Sequence, residues 1–422
     1  MLLTSLLQSH SRRYSFSVSE TNQGETNQDQ ANQHHVRVGI VTKEWPPAVY
    51  GGAGVHVVQL TQALRTLDDV QVDVHCFGGP RSDGSTGYST PSEFADANPA
   101  LQAIATDLAI AQNLDSVDVI HSHTWYANMA GHTASLLYGT PHIVSAHSLE
   151  PLRPWKAEQL GGGYQISSWA EKTAYEGAAA IIAVSDGMRS DVLRAYPNVD
   201  PAKVVTIRNG VDTARFSPNP DTSVLSEYGI TGRYAMFVGR ITRQKGLAHL
   251  LRAWRNVPEH IGLVLAAGSP DEPGIGAEVE ALIAELQSTR PNVWWIKEML
   301  PHDKLTAALT HADLFLCPSI YEPLGIVNLE AMGCETAVLA SRVGGIPEVV
   351  NHGVTGELVD YIESDIPAFE ESIAEAITRL MSNPEKLKAY GAAGRQRAIT
   401  EFGWDAVAAT TLALYRSVIG KR

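Results

Sequence analysis

From Val36 onward the sequence alternates short apolar runs with longer amphipathic segments. Short runs such as VRVGIV and VQVDVHCF begin the pattern, and the later runs VDVIHSH, PHIVSAH and AAAIIAVS are apolar on both faces, as strands buried inside a parallel sheet are. Amphipathic stretches at residues 54–65 and 101–112 separate the early runs, which gives a βαβα rhythm. The pattern therefore predicts an α/β protein with a doubly wound parallel sheet.

The same rhythm is repeated in the second half of the chain, in runs such as YAMFVG, GLVLAAG and DLFLCPS. At about 100–200 residues per domain, 422 residues predict two domains, which we place at residues 36–215 and 216–402. Residues 1–35 are predicted to be a disordered leader. A helix over about 403–422 is predicted to pack back on the first domain. Ligands of such folds bind at the carboxyl ends of the strands, here in the cleft between the domains.

Composition limits the partners of this chain. A net charge of −14 argues against unspecific binding to nucleic acid or to an anionic membrane surface. No apolar run approaches the roughly 20 residues that a membrane-spanning helix needs. Cys76, Cys317 and Cys334 are too few and too scattered for a disulfide framework, which favours a reducing compartment, the cytoplasm. A homodimer remains open.

Two motifs have the composition of anion sites. In PPAVYGGAGVHVVQL, Gly51 and Gly52 lie between a strand and a helix whose first amides are free to bind an anion. In VGRITRQKG, Arg240 and Lys245 follow the first strand of the second half, where a diphosphate is able to take both cations. The alternatives are a plain glycine-rich turn and two solvated surface charges.

The segment PSIYEPLGIVNLEAMG carries two carboxylates. Glu322 falls in the loop after a strand, and a helix that begins near Gly325 holds Glu330 roughly 7–8 Å further along its axis. The helix amides point at phosphates, Glu330 suits a ribose diol, and Glu322 suits a sugar hydroxyl. The alternative is a helix with one exposed glutamate and an unrelated loop acid.

Three histidines follow or end strands of the first half. His147 comes directly after a strand, and His121 and His123 have comparable positions in VIHSH, so spacing does not choose among them. We place the two histidines of HSH on opposite faces of their strand, find no metal-ligand spacing, and predict no metal site.

The chain after residue 35 resembles the retaining GT-B glycosyltransferases of family 4, of the glycogen synthase and sucrose synthase type. The resemblance rests on the E-x7-E pair of Glu322 and Glu330, the GR-x4-KG segment, and the segments RNGVD, AVS and SAH in the family's order. WPPAVYGGAGVHV and HSLEPLRPWKAEQLGGGY more narrowly resemble the actinobacterial type of glycogen synthase, whose close relatives make α-maltose 1-phosphate. The implied fold is GT-B, with two Rossmann-like domains around a deep cleft.

The resemblance implies transfer of glucose, with retention, from ADP-glucose or UDP-glucose to the 4-hydroxyl of an α-1,4-glucan or of glucose 1-phosphate. It implies no cofactor or metal. The catalytic roles carry over to His147, Arg240, Lys245 and Glu322. The donor-binding roles carry over to Gly51, Gly52, Asn209, Leu324, Gly325, Ile326 and Glu330. Adenine is expected to lie against residues 295–300.

For the acceptor we name Arg153, Trp155 and Lys156, in LRPWK. The two cations suit a phosphate and the indole suits a sugar ring, but the same residues are equally suited to anchoring a loop.

Other functions of the same architecture stay open, the first of them a family-4 hexosyltransferase with a different acceptor. The E-x7-E pair argues against a nucleotide-sugar epimerase. A phosphorylase would need a lysine that binds pyridoxal phosphate, and we find no candidate for it. A glycogen-associated binding protein without turnover disagrees with intact Glu322, Arg240 and Lys245.

Overall fold

The computed structural model describes residues 35–153, 156–157 and 161–420. In this part of the chain, the first lobe is a seven-stranded parallel sheet of order β3-β2-β1-β4-β5-β6-β7. Its strands are β1 (Val36–Thr42), β2 (Val70–Phe77), β3 (Thr86–Tyr88), β4 (Val119–His123), β5 (His142–Ala146), β6 (Ala180–Ala183) and β7 (Val204–Thr206). Every residue of β4, β5 and β6 is buried, as their apolar sequences require.

The connections between these strands are helical. They are α1 (Gly52–Leu64), α2 (Pro99–Ala111), α3 (Trp125–Tyr138), α4 (Gly163–Gly177) and α5 (Asp186–Ala195). Two of the starts have local causes: Asn98 caps α2 through the amide of Ala100, and Ser185 caps α5 through the amide of Met188. The caps fix where each helix begins and leave the strand ends free to form the cleft.

The second lobe repeats the architecture. Within the described residues its parallel sheet has six strands in the order β10-β9-β8-β11-β12-β13. These are β8 (Tyr234–Ile241), β9 (Gly262–Pro270), β10 (Val293–Ile296), β11 (Leu314–Cys317), β12 (Ala337–Ser341) and β13 (Gly356–Val359). Its helices are α6 (Ser223–Glu227), α7 (Leu247–Trp254), α8 (Pro273–Thr289), α9 (His302–His311), α10 (Ile326–Gly333), α11 (Ile346–Val349), α12 (Ile366–Met381) and α13 (Pro384–Glu401).

The C-terminal helix α14 (Trp404–Ile419) returns to the first lobe, as the sequence predicts. Its apolar residues share a core cluster with α1 and with β1 and β2. The backbone amide of Val211 donates to the carbonyl of Phe402 at 2.8 Å. This hydrogen bond joins the two segments in which the chain passes from one lobe to the other. The chain thus crosses twice between lobes whose sheets face one cleft.

The twelve predicted strands are confirmed, and the predicted boundary at 215/216 falls between the two sheets. The sequence analysis missed β3, because this three-residue edge strand contains a glycine and is exposed or half-buried throughout. The predicted leader lies outside the described residues apart from His35. Cys76, Cys317 and Cys334 are all buried and unpaired. The helices of the described residues include none with the length and apolarity that crossing a bilayer demands.

Candidate functional site

A cleft of about 500 Å³ runs between the lobes, at the carboxyl edges of both sheets. The structure brings together in its walls all of the predicted site residues that it describes. These are Gly51, Gly52, His147, Arg153, Lys156, Asn209, Arg240, Lys245, Glu322, Leu324, Gly325, Ile326 and Glu330. Trp155, the remaining predicted residue, lies outside the described residues.

Lys245 and Glu322 form an ion pair in the second-lobe wall. The ammonium nitrogen of Lys245 lies 2.6 Å from a carboxylate oxygen of Glu322, and the hydroxyl of Ser319 donates to the same oxygen at 3.2 Å. Burial by itself would lower the pKa of Lys245, but the Glu322 carboxylate outweighs it and holds that pKa above its usual value. Lys245 is therefore a fully charged cation at the floor of the cleft.

The other predicted cation, Arg240, has its own carboxylate partner. Arg240 is the penultimate residue of β8, and its guanidinium donates to Asp271 at 2.7 Å, where Asp271 directly follows β9. Parallel neighbouring strands place their ends side by side, which is why residues 31 apart meet here. An incoming anion would share or take over the cations of both ion pairs.

Two glycines explain how the lysine turn and the Glu322 loop fit together. Gly246 ends the turn after Lys245 at φ 66°, and a Cβ there would lie 1.9 Å from the carbonyl oxygen of Pro318. Gly344 has φ 51°, and a Cβ there would lie 1.9 Å from the carbonyl oxygen of Glu322. Only glycine permits such approaches, so both positions fix where Glu322 lies.

Helix α10 begins at Ile326, with Gly325 as its N-cap, which confirms the predicted start. Its first residues line the cleft, as does Glu330, which lies one turn further along. Burial raises the pKa of the Glu330 carboxyl to about 7, against the opposing effect of Lys245 and Arg215. Glu330 is thus a carboxylate whose charge changes near neutral pH.

The glycine loop differs from its prediction in one respect. The amides of Tyr50 and Gly51 both donate to the Glu44 carboxylate, at 3.0 and 2.8 Å, so the Gly51 amide is engaged within the chain. Glu44 lies two residues after β1 and reaches the start of α1, where a helix N-terminus favours a negative charge. Gly52, the next residue, lines the cleft.

The structure chooses among the three histidines. His147 lines the cleft, whereas His121 and His123 are fully buried behind it. The prediction that HSH puts its histidines on opposite faces is wrong, because side chains two residues apart on a strand point to the same face. The rings of His121 and His123 are accordingly 4.2 Å apart.

The prediction of no metal-ligand cluster therefore needs its own correction. Ligand atoms of His56, His123 and His147 lie within 4.8 Å of one another, a set that the sequence spacing did not reveal. An ion such as Zn²⁺ is compatible with three neutral imidazoles. In the structure, however, Nδ1 of His123 and Nε2 of His147 already share a hydrogen bond of 3.0 Å, which a metal would have to replace.

The first-lobe wall carries two further cations, Arg153 and Lys156. Arg153 donates to the hydroxyl of Ser148 at 3.2 Å, and its Nε is buried without a partner among the described residues. Burial lowers the pKa of Lys156, and the positive charge of Arg153 lowers it further. Neither cation has a carboxylate partner in the described part of the chain, in contrast to Arg240 and Lys245.

The structure adds cleft residues that the sequence analysis missed, among them Glu44, Trp125, Tyr126, Glu171 and Met299. Position could have indicated Glu44, Trp125 and Tyr126, since all three closely follow predicted strands. Glu171 lies inside α4 and gave no signal. Met299 belongs to the segment expected against adenine, and its side chain is largely exposed at the cleft.

Two facing doubly wound lobes, with paired cations and a helix N-terminus at their cleft, define the GT-B class of glycosyltransferases. Two family models match the chain: Glycosyltransferase Family 4 over residues 50–215, and Glycosyl transferases group 1 over residues 228–397. The chain belongs to this glycosyltransferase family and is a hexosyltransferase.

Individual proteins agree with this assignment. The chain is 54% identical over 388 residues to an alpha-maltose-1-phosphate synthase of Mycolicibacterium smegmatis, covering 91% of this chain and 100% of the relative. It is 27% identical to a glycogen synthase of Mycobacterium tuberculosis, over 90% of this chain and 94% of that one. The sucrose-phosphate synthase of Thermosynechococcus elongatus has the same fold, with a TM-score of 0.75 at 22% identity over 92% of this chain and 100% of that chain.

Proposed function

We propose that this chain is a retaining glucosyltransferase that moves glucose from ADP-glucose to the 4-hydroxyl of glucose 1-phosphate, giving α-maltose 1-phosphate. The observation that carries the choice of acceptor is the second pair of cations, Arg153 and Lys156, which have no carboxylate partner among the described residues. A phosphate monoester carries a charge of about −1.5 to −2 and would neutralise both. The relative that is 54% identical to this chain carries the corresponding name.

The donor diphosphate would lie on the opposite wall. Arg240 and Lys245 would turn from Asp271 and Glu322 toward the phosphates, and the first amides of α10 would complete the cradle. Glu322, once free of Lys245, would accept hydrogen bonds from sugar hydroxyls. Glu330 would hold the ribose diol from within the helix.

Two cation pairs on facing walls support a division of labour between leaving group and acceptor. As the bond between the glucosyl C1 and the diphosphate oxygen breaks, negative charge grows on the diphosphate, and Arg240 and Lys245 stabilise it. The acceptor O4 bonds to C1 from the same face, and its proton passes to the departing phosphate oxygen. The products are ADP and α-maltose 1-phosphate, with retained configuration.

A matrix of donors and acceptors tests the proposal. ADP-glucose and UDP-glucose are each combined with glucose 1-phosphate, glucose and maltooligosaccharide, and products are identified by ³¹P and ¹H NMR. We expect α-maltose 1-phosphate as the main product, with glucose a poor acceptor because it lacks the phosphate. Activity on maltooligosaccharide alone would make the chain an α-glucan synthase and overturn the proposal.

The variants Arg153→Ala and Lys156→Ala locate the acceptor site. Each should raise the KM for glucose 1-phosphate about 10-fold to 100-fold, the size of a lost charged hydrogen bond, while activity toward glucose changes little. Equal losses for both acceptors would indicate that the two residues only anchor their loop.

The expectations of a cytoplasmic location, a homodimer and no bound metal stay predictions.

A further inference from the structure

His147 is the cleft-facing member of a group of imidazoles in the first lobe. The rings of His56 and His147 lie 4.7 Å apart, edge to face, and those of His123 and His147 lie 5.3 Å apart and stacked. His121 is already satisfied, because its two nitrogens bond the hydroxyls of Tyr415 at 2.7 Å and Ser145 at 2.8 Å. The partner that touches His147 through a hydrogen bond is His123.

His123 and His147 must share one proton between them. Burial holds the pKa of both imidazoles well below the usual value, and the neighbouring imidazoles lower it further. Both rings are therefore neutral at pH 7, and each carries a single N–H. In the 3.0 Å contact between Nδ1 of His123 and Nε2 of His147, one ring donates and the other accepts.

The far side of His123 decides which ring donates. Its Nε2 is buried and has no hydrogen-bond partner among the described residues. If His147 donated, the proton of His123 would be on this Nε2, and a buried N–H without an acceptor costs about 1–3 kcal/mol. If His123 donates through Nδ1, its Nε2 is an unprotonated nitrogen without a donor. Buried acceptors without a donor are more common in proteins than buried N–H groups without an acceptor, so this arrangement is favoured.

We propose that His123 is a positioning residue that holds His147 as its Nδ1–H tautomer, so that His147 donates a hydrogen bond to a sugar hydroxyl in the cleft. The hydrogen bond that His147 makes to the described residues uses Nε2, which leaves Nδ1 for a ligand, and the residue is half-buried in the cleft wall. Glu322, as a carboxylate, only accepts hydrogen bonds. The two side chains would thus offer the sugar one donor and one acceptor. The hydroxyl contact rests on the proposed function, whereas the tautomer does not.

The tautomer is read directly by long-range ¹H–¹⁵N NMR of protein labelled at histidine, without substrate and with a chelator present to keep metals out. We expect His147 protonated at Nδ1 in the native protein. His123→Phe keeps a ring of similar size but removes the donor, so Nε2 of His147 loses the hydrogen bond that keeps it unprotonated, and a second population with Nε2–H should appear beside Nδ1–H. His123→Asn has an amide N–H near the place of Nδ1 and should restore the native tautomer.

His56→Phe is the matched control, because His56 packs against His147 without a hydrogen bond to it. This variant should leave the tautomer of His147 unchanged. In parallel, His123→Phe should lower kcat about 10-fold to 100-fold, with the KM of glucose 1-phosphate little altered, and His123→Asn should recover most of the loss.

A native His147 protonated at Nε2 would overturn the proposal whatever the activity, and so would a His123→Asn variant whose His147 is protonated at Nε2. If instead the tautomer behaves as expected and native protein transfers no glucose, the proposed function fails while the role of His123 stands. Thermal unfolding of each variant shows whether it is folded, and His123→Asn supplies the test if His123→Phe is not.

Discussion

At the scale of single residues, the main feature of the cleft is that its cations form ion pairs with carboxylates before a substrate binds. Lys245 is neutralised by Glu322 at 2.6 Å, and Arg240 by Asp271 at 2.7 Å. Pre-formed pairs keep buried charges tolerable, since an isolated buried ion would be costly. In the proposed function, the same pairs would hold the cations close to the place where a leaving diphosphate develops its charge.

Replacing Lys245 by alanine tests this role. Because Lys245 would act on charge that grows in the transition state, Lys245→Ala should lower kcat on the order of 100-fold to 1000-fold, about 3–4 kcal/mol, with a small change in donor KM. Steady-state kinetics with varied ADP-glucose measures both constants. Lys304→Ala, which removes an ion pair with Glu227 outside the cleft, is the control. A change confined to KM would contradict a transition-state role.

Glu330 predicts a pH dependence. Burial raises the pKa of its carboxyl to about 7, so it loses its charge as the pH falls through 7, and in the proposed function it would then bind the ribose diol less well. The value of kcat/KM for the donor should therefore fall below about pH 7, since this ratio reports ionisation in the free enzyme. The Glu330→Gln variant should have a low kcat/KM at all pH values. Its pH profile should lack the acidic limb, which is the decrease below about pH 7.

A second cleft carboxyl provides the control for that experiment. Burial, followed by repulsion from Glu150, raises the pKa of Glu171 to about 8. Glu171→Gln should keep the acidic limb if that limb belongs to Glu330. Loss of the limb in Glu171→Gln, with its persistence in Glu330→Gln, would reverse the assignment.

At the scale of elements, apolar runs located the twelve strands that carry most of both sheets, because buried parallel strands need residues that are apolar on both faces. The strand ends in turn located Arg240, Glu322 and His147. Side-chain contacts between segments that are distant in sequence could not be predicted from the apolar runs and the strand ends. Glu44 reaching the amide of Gly51, Asp271 reaching Arg240, and His56 beside His147 all depend on packing that no local pattern encodes.

The turn after β8 offers a test of element geometry. Gly246 and Gly232 both have positive φ, but a Cβ at Gly246 would lie 1.9 Å from the Pro318 carbonyl oxygen, and one at Gly232 would meet open space. Gly232→Ala should cost about 1–2 kcal/mol of stability, the strain of the left-handed conformation, and leave activity unchanged. Gly246→Ala should cost more and also lower kcat, because the turn displaces Lys245.

Denaturant unfolding and kinetics on both variants measure these effects. Equal losses of stability, with native kcat in Gly246→Ala, would show that the turn accommodates the clash without moving Lys245.

At the scale of the whole molecule, direct contacts hold the two lobes together across the rim of the cleft. The Ser185 hydroxyl donates to the carbonyl of Pro323 at 2.6 Å. Glu348 of the second lobe accepts a hydrogen bond from the amide of Gly187 at 3.0 Å and pairs with Arg208 at 2.7 Å, both in the first lobe. Closure of this kind would exclude water from the cleft, which strengthens the electrostatic interactions inside it.

Variants of Glu348 distinguish its hydrogen bond with the Gly187 amide from its ion pair with Arg208. Glu348→Gln keeps an acceptor for the Gly187 amide and loses an ion pair worth about 0–1 kcal/mol, so lobe closure should change little. Glu348→Ala loses both contacts and should open the lobes, raising the radius of gyration in X-ray scattering without ligand. Since donor binding would then have to close the lobes against that bias, the KM for the donor should rise by up to about 10-fold.

Asp186→Asn is the matched control, because Asp186 pairs with the same Arg208 but is itself largely exposed and belongs to the first lobe. It should leave scattering and KM at native values, which separates contacts between lobes from contacts within one. If Glu348→Ala scatters like the native protein and keeps its KM, then the packing beneath the rim holds the lobes closed. Ser185 and Pro323 would be the first contact to examine, because their hydrogen bond joins the capping residue of α5 directly to the loop that carries Glu322.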